Sequence, residues 1–259
     1  MKTLAGGLLM AALMAASAQA AIRTQKVEYR HGDATLQGYL AYDDAVTGKR
    51  PGVLVAPEWW GLNDYAKGRA EQLARLGYVV FATDMYGKGK TTTDPKEAGQ
   101  LAGLFRNDRK LMRARAAAGL DILRNRPQVD TTRIAAIGYC FGGTVVLEMA
   151  RSGADLKGVV SFHGGLATSN PADARNIKGK VLVLHGADDT FESPAEIAAF
   201  QDEMRQAKVD WQMNYYGGAV HSFTNPAAGR VGIKGVAYNE AADRRSWQAM
   251  RDFFDEILK

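Results

Sequence analysis

The sequence predicts an α/β fold built on a mostly parallel, doubly wound sheet with helices on both faces, and two observations predict it. Short, nearly unbroken apolar runs rich in valine and isoleucine recur along the chain, which is how strands buried on both faces read. Helix-length segments separate these runs, so strand and helix alternate as right-handed crossovers require.

In chain order, the first element is a leader. Met1-Lys2, an apolar run from Leu4 to Ala16, and small residues ending in Ala18-Gln19-Ala20 form the three regions of a signal peptide. Export to the periplasm or medium is expected, with cleavage near Ala20 leaving residues 21–259 as one domain. The run is shorter than the roughly 20 residues that span a bilayer, so no stable membrane anchor is expected. Lys26 to Tyr29 and Thr35 to Tyr42 alternate well enough for a hairpin around Gly32-Asp33. Buried strands follow at Val53 to Ala56, Val79 to Thr83, Ile134 to Ile137, Val159 to Phe162 and Val181 to His185. Between and after them lie helices at Tyr65 to Leu76, Pro95 to Asn125 with a break near Asn107-Asp108, Gly142 to Ser152, Pro194 to Ala207 and Asn239 to Leu258. Ser193, Pro194 and Glu196 make a capping box for the fourth of these. Asp210 to Tyr215 adds a last strand.

A formal net charge of +5 comes from lysines and arginines scattered along the chain, which argues against a nucleic-acid partner. No cofactor is expected, and the sequence specifies no oligomeric state. His185, Asp188, Asp189 and His221 are metal-ligand types, but they lack HExxH or cysteine spacing, so no metal site is expected.

A doubly wound sheet presents its chemistry at the carboxyl ends of its strands. There the sequence offers Pro57-Glu58, Asp84, Gly138-Tyr139-Cys140 and His185-Gly186. Gly138-Tyr139-Cys140-Phe141-Gly142-Gly143 sits between strand and helix. Small residues flank its central one, as a strained nucleophile elbow needs. This predicts an α/β-hydrolase fold with Cys140, the only cysteine, as nucleophile. The helix N-terminus beside it favours thiolate. A thiol nucleophile needs a base and a group to orient that base. His221, at the end of Gly217-Gly218-Ala219-Val220, supplies the base, and Asp188 or Asp189 the orienting acid. His31 is expected exposed, His185 packed and hydrogen-bonded, and His163, from His163-Gly164-Gly165, a lining residue of the pocket.

These motifs resemble those of the dienelactone hydrolase family, a cysteine-using branch of the α/β-hydrolases. The resemblance covers nearly the whole mature chain through Pro57-Glu58-Trp59-Trp60-Gly61-Leu62-Asn63, Asp84-Met85-Tyr86-Gly87, the elbow, His185-Gly186-Ala187-Asp188-Asp189, His221-Ser222-Phe223 and Tyr238-Asn239-Glu240-Ala241-Ala242. It implies Cys140 as nucleophile, His221 as base, Asp189 as orienting acid, and Glu58 as a carboxylate that meets the resting thiol and swings away when substrate binds. It further implies an oxyanion hole from the backbone N–H groups of Phe141 and Trp59. Trp60, Tyr86, Lys88, His163, Phe223 and Asn225 are the expected pocket residues. The sequence departs from the family where members acting on dienelactone hold its carboxylate with two arginines, because Lys88 and Asn225 stand in those places. The expected activity is hydrolysis of a small carboxylic ester or lactone through an acyl-cysteine. Alternatives are a thioesterase or deacylase on the same triad, or a non-catalytic periplasmic binding protein.

Overall fold

The computed structural model describes residues 21–259, so the expected leader lies outside the described residues. Eight strands form one sheet: β1 (Ile22–His31), β2 (Ala34–Asp43), β3 (Arg50–Ala56), β4 (Val79–Ala82), β5 (Val129–Tyr139), β6 (Gly158–Phe162), β7 (Lys180–Gly186) and β8 (Trp211–Tyr216). Their spatial order is β1-β2-β4-β3-β5-β6-β7-β8. The β1–β2 hairpin and the β2–β4 pair are antiparallel, and every later pair is parallel. Gly32, at φ +55°, makes the hairpin turn that the Gly-Asp dipeptide predicts.

Period-2 burial along the strands divides the core in two. Leu54, Ala56, Ile134 and Ala136 face one side with α2 (Pro95–Asn107), α3 (Arg109–Arg124), α4 (Phe141–Arg151) and α5 (Pro194–Ala207). Val53, Val55, Ala135 and Ile137 face the other with α1 (Asp64–Arg75) and α6 (Glu240–Ile257). Asp108 separates α2 from α3 and caps α3 through Leu111 N–H, where the sequence predicts a break. Ser193 and Glu196 form the expected capping box. Asn239, part of a family-like stretch, is the N-cap of α6, so its part is structural.

Strand order reverses at β3: β4 lies on one side of it and β5 on the other. The crevice at such a switch point is where a doubly wound sheet binds ligands. Here it lies between the segments that follow β3 and β5, which bear Glu58, Trp59 and Cys140.

Candidate active site

Cys140 sits between β5 and α4 at φ +52° and ψ −115°, a conformation that non-glycine residues rarely adopt. Glycine neighbours make this turn possible. A Cβ on Gly138 would lie 1.9 Å from the carbonyl oxygen of Gly142, and one on Gly142 would lie 2.1 Å from that of Ala56. The elbow therefore turns sharply while α4 packs directly on β3.

From this turn the Cys140 Sγ lies 3.1 Å from Nε2 of His221, and the His221 Nδ1 lies 2.9 Å from Oδ2 of Asp189. The three side chains, far apart in sequence, meet at the sheet rim, all buried. Asp189 is chosen over Asp188 by the turn after β7: Asp188 is exposed, while Asp189 is buried and its other oxygen accepts the Phe191 N–H. Burial opposes a charge on His221, but the adjacent Cys140 sulfur and Asp189 carboxylate outweigh it and hold the imidazole well above the usual histidine range. The Phe191 ring covers one side of the imidazole at 4.7 Å.

The N–H groups of Phe141 and Trp59 donate to no acceptor among the described residues. Glu58 is buried, and its two oxygens accept bonds from the Ser222 hydroxyl at 3.1 Å and the Asn225 amide at 2.7 Å. Burial raises its carboxyl above the ordinary range, partly offset by Asn225 and Ser222. In this arrangement the thiol pairs with His221, and Glu58 ties the Trp59 segment to the loop bearing His221.

A cavity of about 360 Å³ opens over the sulfur, lined by Trp59, Trp60, Phe141, Phe191, Asn225 and the apolar Val231, Ile233 and Val236. Trp60 and Asn225 thus line it as expected, whereas four other expected lining residues lie elsewhere. Lys88 is exposed and paired with Glu28 of β1. Tyr86 stands behind the pocket wall, donating to the Trp59 carbonyl at 2.9 Å and packing on Phe141. Phe223 is fully buried against His163 and Tyr216. His163 lies beneath the elbow, its Nδ1 3.1 Å from the Cys140 N–H. His31 is only half-exposed and accepts a bond from Arg115. His185 is packed, but its Nδ1 finds no hydrogen-bond partner.

The sequence reading missed the charged walls of the cavity. Arg106 and Arg109 flank the α2–α3 break on one side, and Glu192 and Glu196 follow β7 on another. Burial pushes the Glu192 carboxyl up to about 7. Arginines on either side of a predicted helix break were the available signal. Among the described residues no cluster of three or more His, Cys, Asp and Glu side chains could hold a metal ion, and no helix is long and apolar enough to cross a membrane.

The model of the dienelactone hydrolase family matches residues 36–258. Protein usf of Aquifex pyrophilus is 30% identical over 241 residues, covering 90% of this chain and 99% of the relative. A dienelactone hydrolase-like promiscuous phosphotriesterase from metagenomic libraries is 46% identical, with a TM-score of 0.89 over 92% of this chain and 100% of that one. A dienelactone hydrolase of Anabaena variabilis, at 21% identity, has the same fold with a TM-score of 0.67, covering 92% of this chain and 99% of that one.

Proposed function

The chain belongs to the dienelactone hydrolase family, and from that premise we propose that it hydrolyses small carboxylic esters or lactones through an acyl-cysteine intermediate, with Cys140, His221 and Asp189 as its triad. The observation that supports this most is the 3.1 Å approach of Cys140 Sγ to His221 Nε2 on a strained elbow beside two free backbone N–H groups.

The thiolate attacks the substrate carbonyl carbon, forming a C–S bond as the C=O π electrons move to oxygen. The Phe141 and Trp59 N–H groups hold that oxyanion. The imidazolium of His221, steadied by Asp189, gives its Nε2 proton to the leaving alkoxide as the C–O bond breaks. Water then loses a proton to His221 and attacks the thioester. Collapse of this second oxyanion releases the carboxylic acid and returns the sulfur to its pairing with His221. Aromatic walls from Trp59, Trp60 and Phe191 receive the acyl or alcohol portion. Export by the leader over residues 1–20 is part of the proposal, to be checked by the N-terminal sequence of protein recovered from a periplasmic fraction.

The test is turnover of short-chain nitrophenyl esters and simple lactones. Cys140→Ala and His221→Ala are each expected to lower kcat by at least ~1,000-fold. Full turnover by either variant removes the proposed site. An aryl phosphotriester belongs in the same screen, because a relative at 46% identity is described as a promiscuous phosphotriesterase.

A further inference from the structure

Catalysis by this pair depends on a fixed separation between sulfur and imidazole, yet the two stand on independent segments. Cys140 is on the turn between β5 and α4, and His221 is on the loop after β8. One buried side chain bonds to both. His163, just after β6, is fully buried. Its Nδ1 accepts the Cys140 backbone N–H at 3.1 Å, a donor shared with the Phe162 carbonyl at 3.0 Å. Its Nε2 lies 2.7 Å from the Thr224 hydroxyl, on the same loop as His221.

The chemistry of the donors fixes the state of this ring. A backbone N–H can only donate, so Nδ1 must offer its lone pair and Nε2 must carry the proton. The Thr224 hydroxyl accepts that proton and also pairs with the Tyr65 hydroxyl, 2.6 Å away. The Thr224 carbonyl accepts a bond from Arg69 at 2.6 Å, and Arg69 is anchored in turn by Asp243 at 2.6 Å. A doubly protonated ring would aim an N–H at the Cys140 N–H and break the contact. The backbone of His163 is itself at φ +39°, a strained conformation maintained by these bonds.

We propose that His163, as its neutral Nε2–H tautomer, is a positioning residue that clamps the nucleophile elbow to the base loop and so sets the Cys140–His221 distance. The role rests on the cysteine-histidine chemistry proposed above, since His163 touches no reacting atom and acts through the Cys140 backbone and Thr224. Groups facing the ring are His221, Tyr139, Arg69 and His185. Burial first, and His221 next, hold His163 well below the usual histidine range, so it stays neutral while its neighbour carries a proton.

The experiment compares Thr224→Val with Thr224→Ser in the full chain. It reads kcat and KM on a short-chain nitrophenyl ester, and the rate of Cys140 alkylation by iodoacetamide against pH. Thr224→Val leaves the Nε2–H without an acceptor. It is expected to lower kcat about 10-fold or more with KM little changed, and to move the alkylation midpoint upward by about half a pH unit as the imidazole drifts from the sulfur. Thr224→Ser, which keeps the hydroxyl, is expected to restore both. A folded Thr224→Val with parental kcat and alkylation profile overturns the clamp. Should Thr224→Val fail to fold, the pair His163→Asn and His163→Leu makes the same comparison, because asparagine tolerates positive φ and can both accept and donate. There, Asn retaining more activity and alkylation rate than Leu supports the clamp, and equal values overturn it. Alkylation needs no substrate, so it decides the clamp even if the parent hydrolyses no ester and the functional proposal alone fails.

Discussion

Arg109 is half-buried in the pocket wall, and no carboxylate among the described residues lies within ion-pair distance of it. Its guanidinium has only long contacts, to the Met112 sulfur at 3.6 Å and the Ala167 carbonyl at 3.4 Å. Burial lowers its pKa; Glu148 opposes that shift, and Arg151, Arg106 and Arg113 add to it. An arginine remains charged regardless, so the site offers an uncompensated cation that an anionic substrate group would neutralise. Arg109→Gln is therefore expected to raise KM about 10-fold for an ester bearing a free carboxylate, equivalent to about 1.4 kcal/mol. For the matching neutral ester, KM should change less than about twofold by the same reasoning. Equal changes for both would remove electrostatics from the role of Arg109. The residues legible in the sequence were those at strand ends, because a doubly wound sheet gathers them whatever the loops do. Lys88 was misread because its partner Glu28 lies on an edge strand far away in sequence, and no local pattern records that pairing.

The element that matters most is the β5–elbow–α4 unit, whose glycines Gly138, Gly142 and Gly143 leave no room for a Cβ. A Cβ on Gly142 would meet the backbone of Ala56 and Pro57, which cannot yield as a side-chain tip could. Gly142→Ala should push α4 off β3, with a stability loss of about 3 kcal/mol or more and loss of esterase activity. Gly103, inside α2, has open space where its Cβ would be. Gly103→Ala should stabilise by about 0.5–1 kcal/mol, since it only improves helix propensity. Urea melts of both variants check the contrast, and similar losses in the two would mean that close packing at the elbow is not the cause. At this scale the order of strands and helices was legible throughout. The ends of some strands were not: β5 begins at Val129, and Asp130 to Arg133 show no apolar alternation. Val129 and Asp130 are held in the strand by pairing with Arg50 and Pro51, and the register shift before Gly52 passes over Thr131 to Arg133, a nonlocal cause.

At the scale of the whole molecule, strain and burial penalties gather at the rim that carries the site. Among the described residues the non-glycine positions with positive φ are Cys140, His163, Lys208 and Ser222, and all but Lys208 lie there. Such conformations cost on the order of 1–3 kcal/mol each, offset by the two-sided core beneath. His185 adds a buried Nδ1 with no partner, beside the edge of Tyr215. Burial lowers its pKa, only partly opposed by Asp189, so the folded protein holds this ring neutral below the ordinary value of 6.5. The unfolded chain has no such restriction and takes up a proton as pH falls through that value. Its uptake favours unfolding, so this contribution to stability is intact above 6.5 and is lost progressively on acidification. His163 behaves in the same direction and for the same reason. Replacing His185 by leucine removes both the orphaned nitrogen and one proton-uptake site while keeping an apolar strand position filled. His185→Leu should match or exceed the parent by up to about 1 kcal/mol near pH 8, and lose stability less steeply between about pH 7 and 5. Denaturant melts at a series of pH values measure both quantities. A variant that falls as steeply as the parent would show that His185 is not among the groups whose protonation drives unfolding.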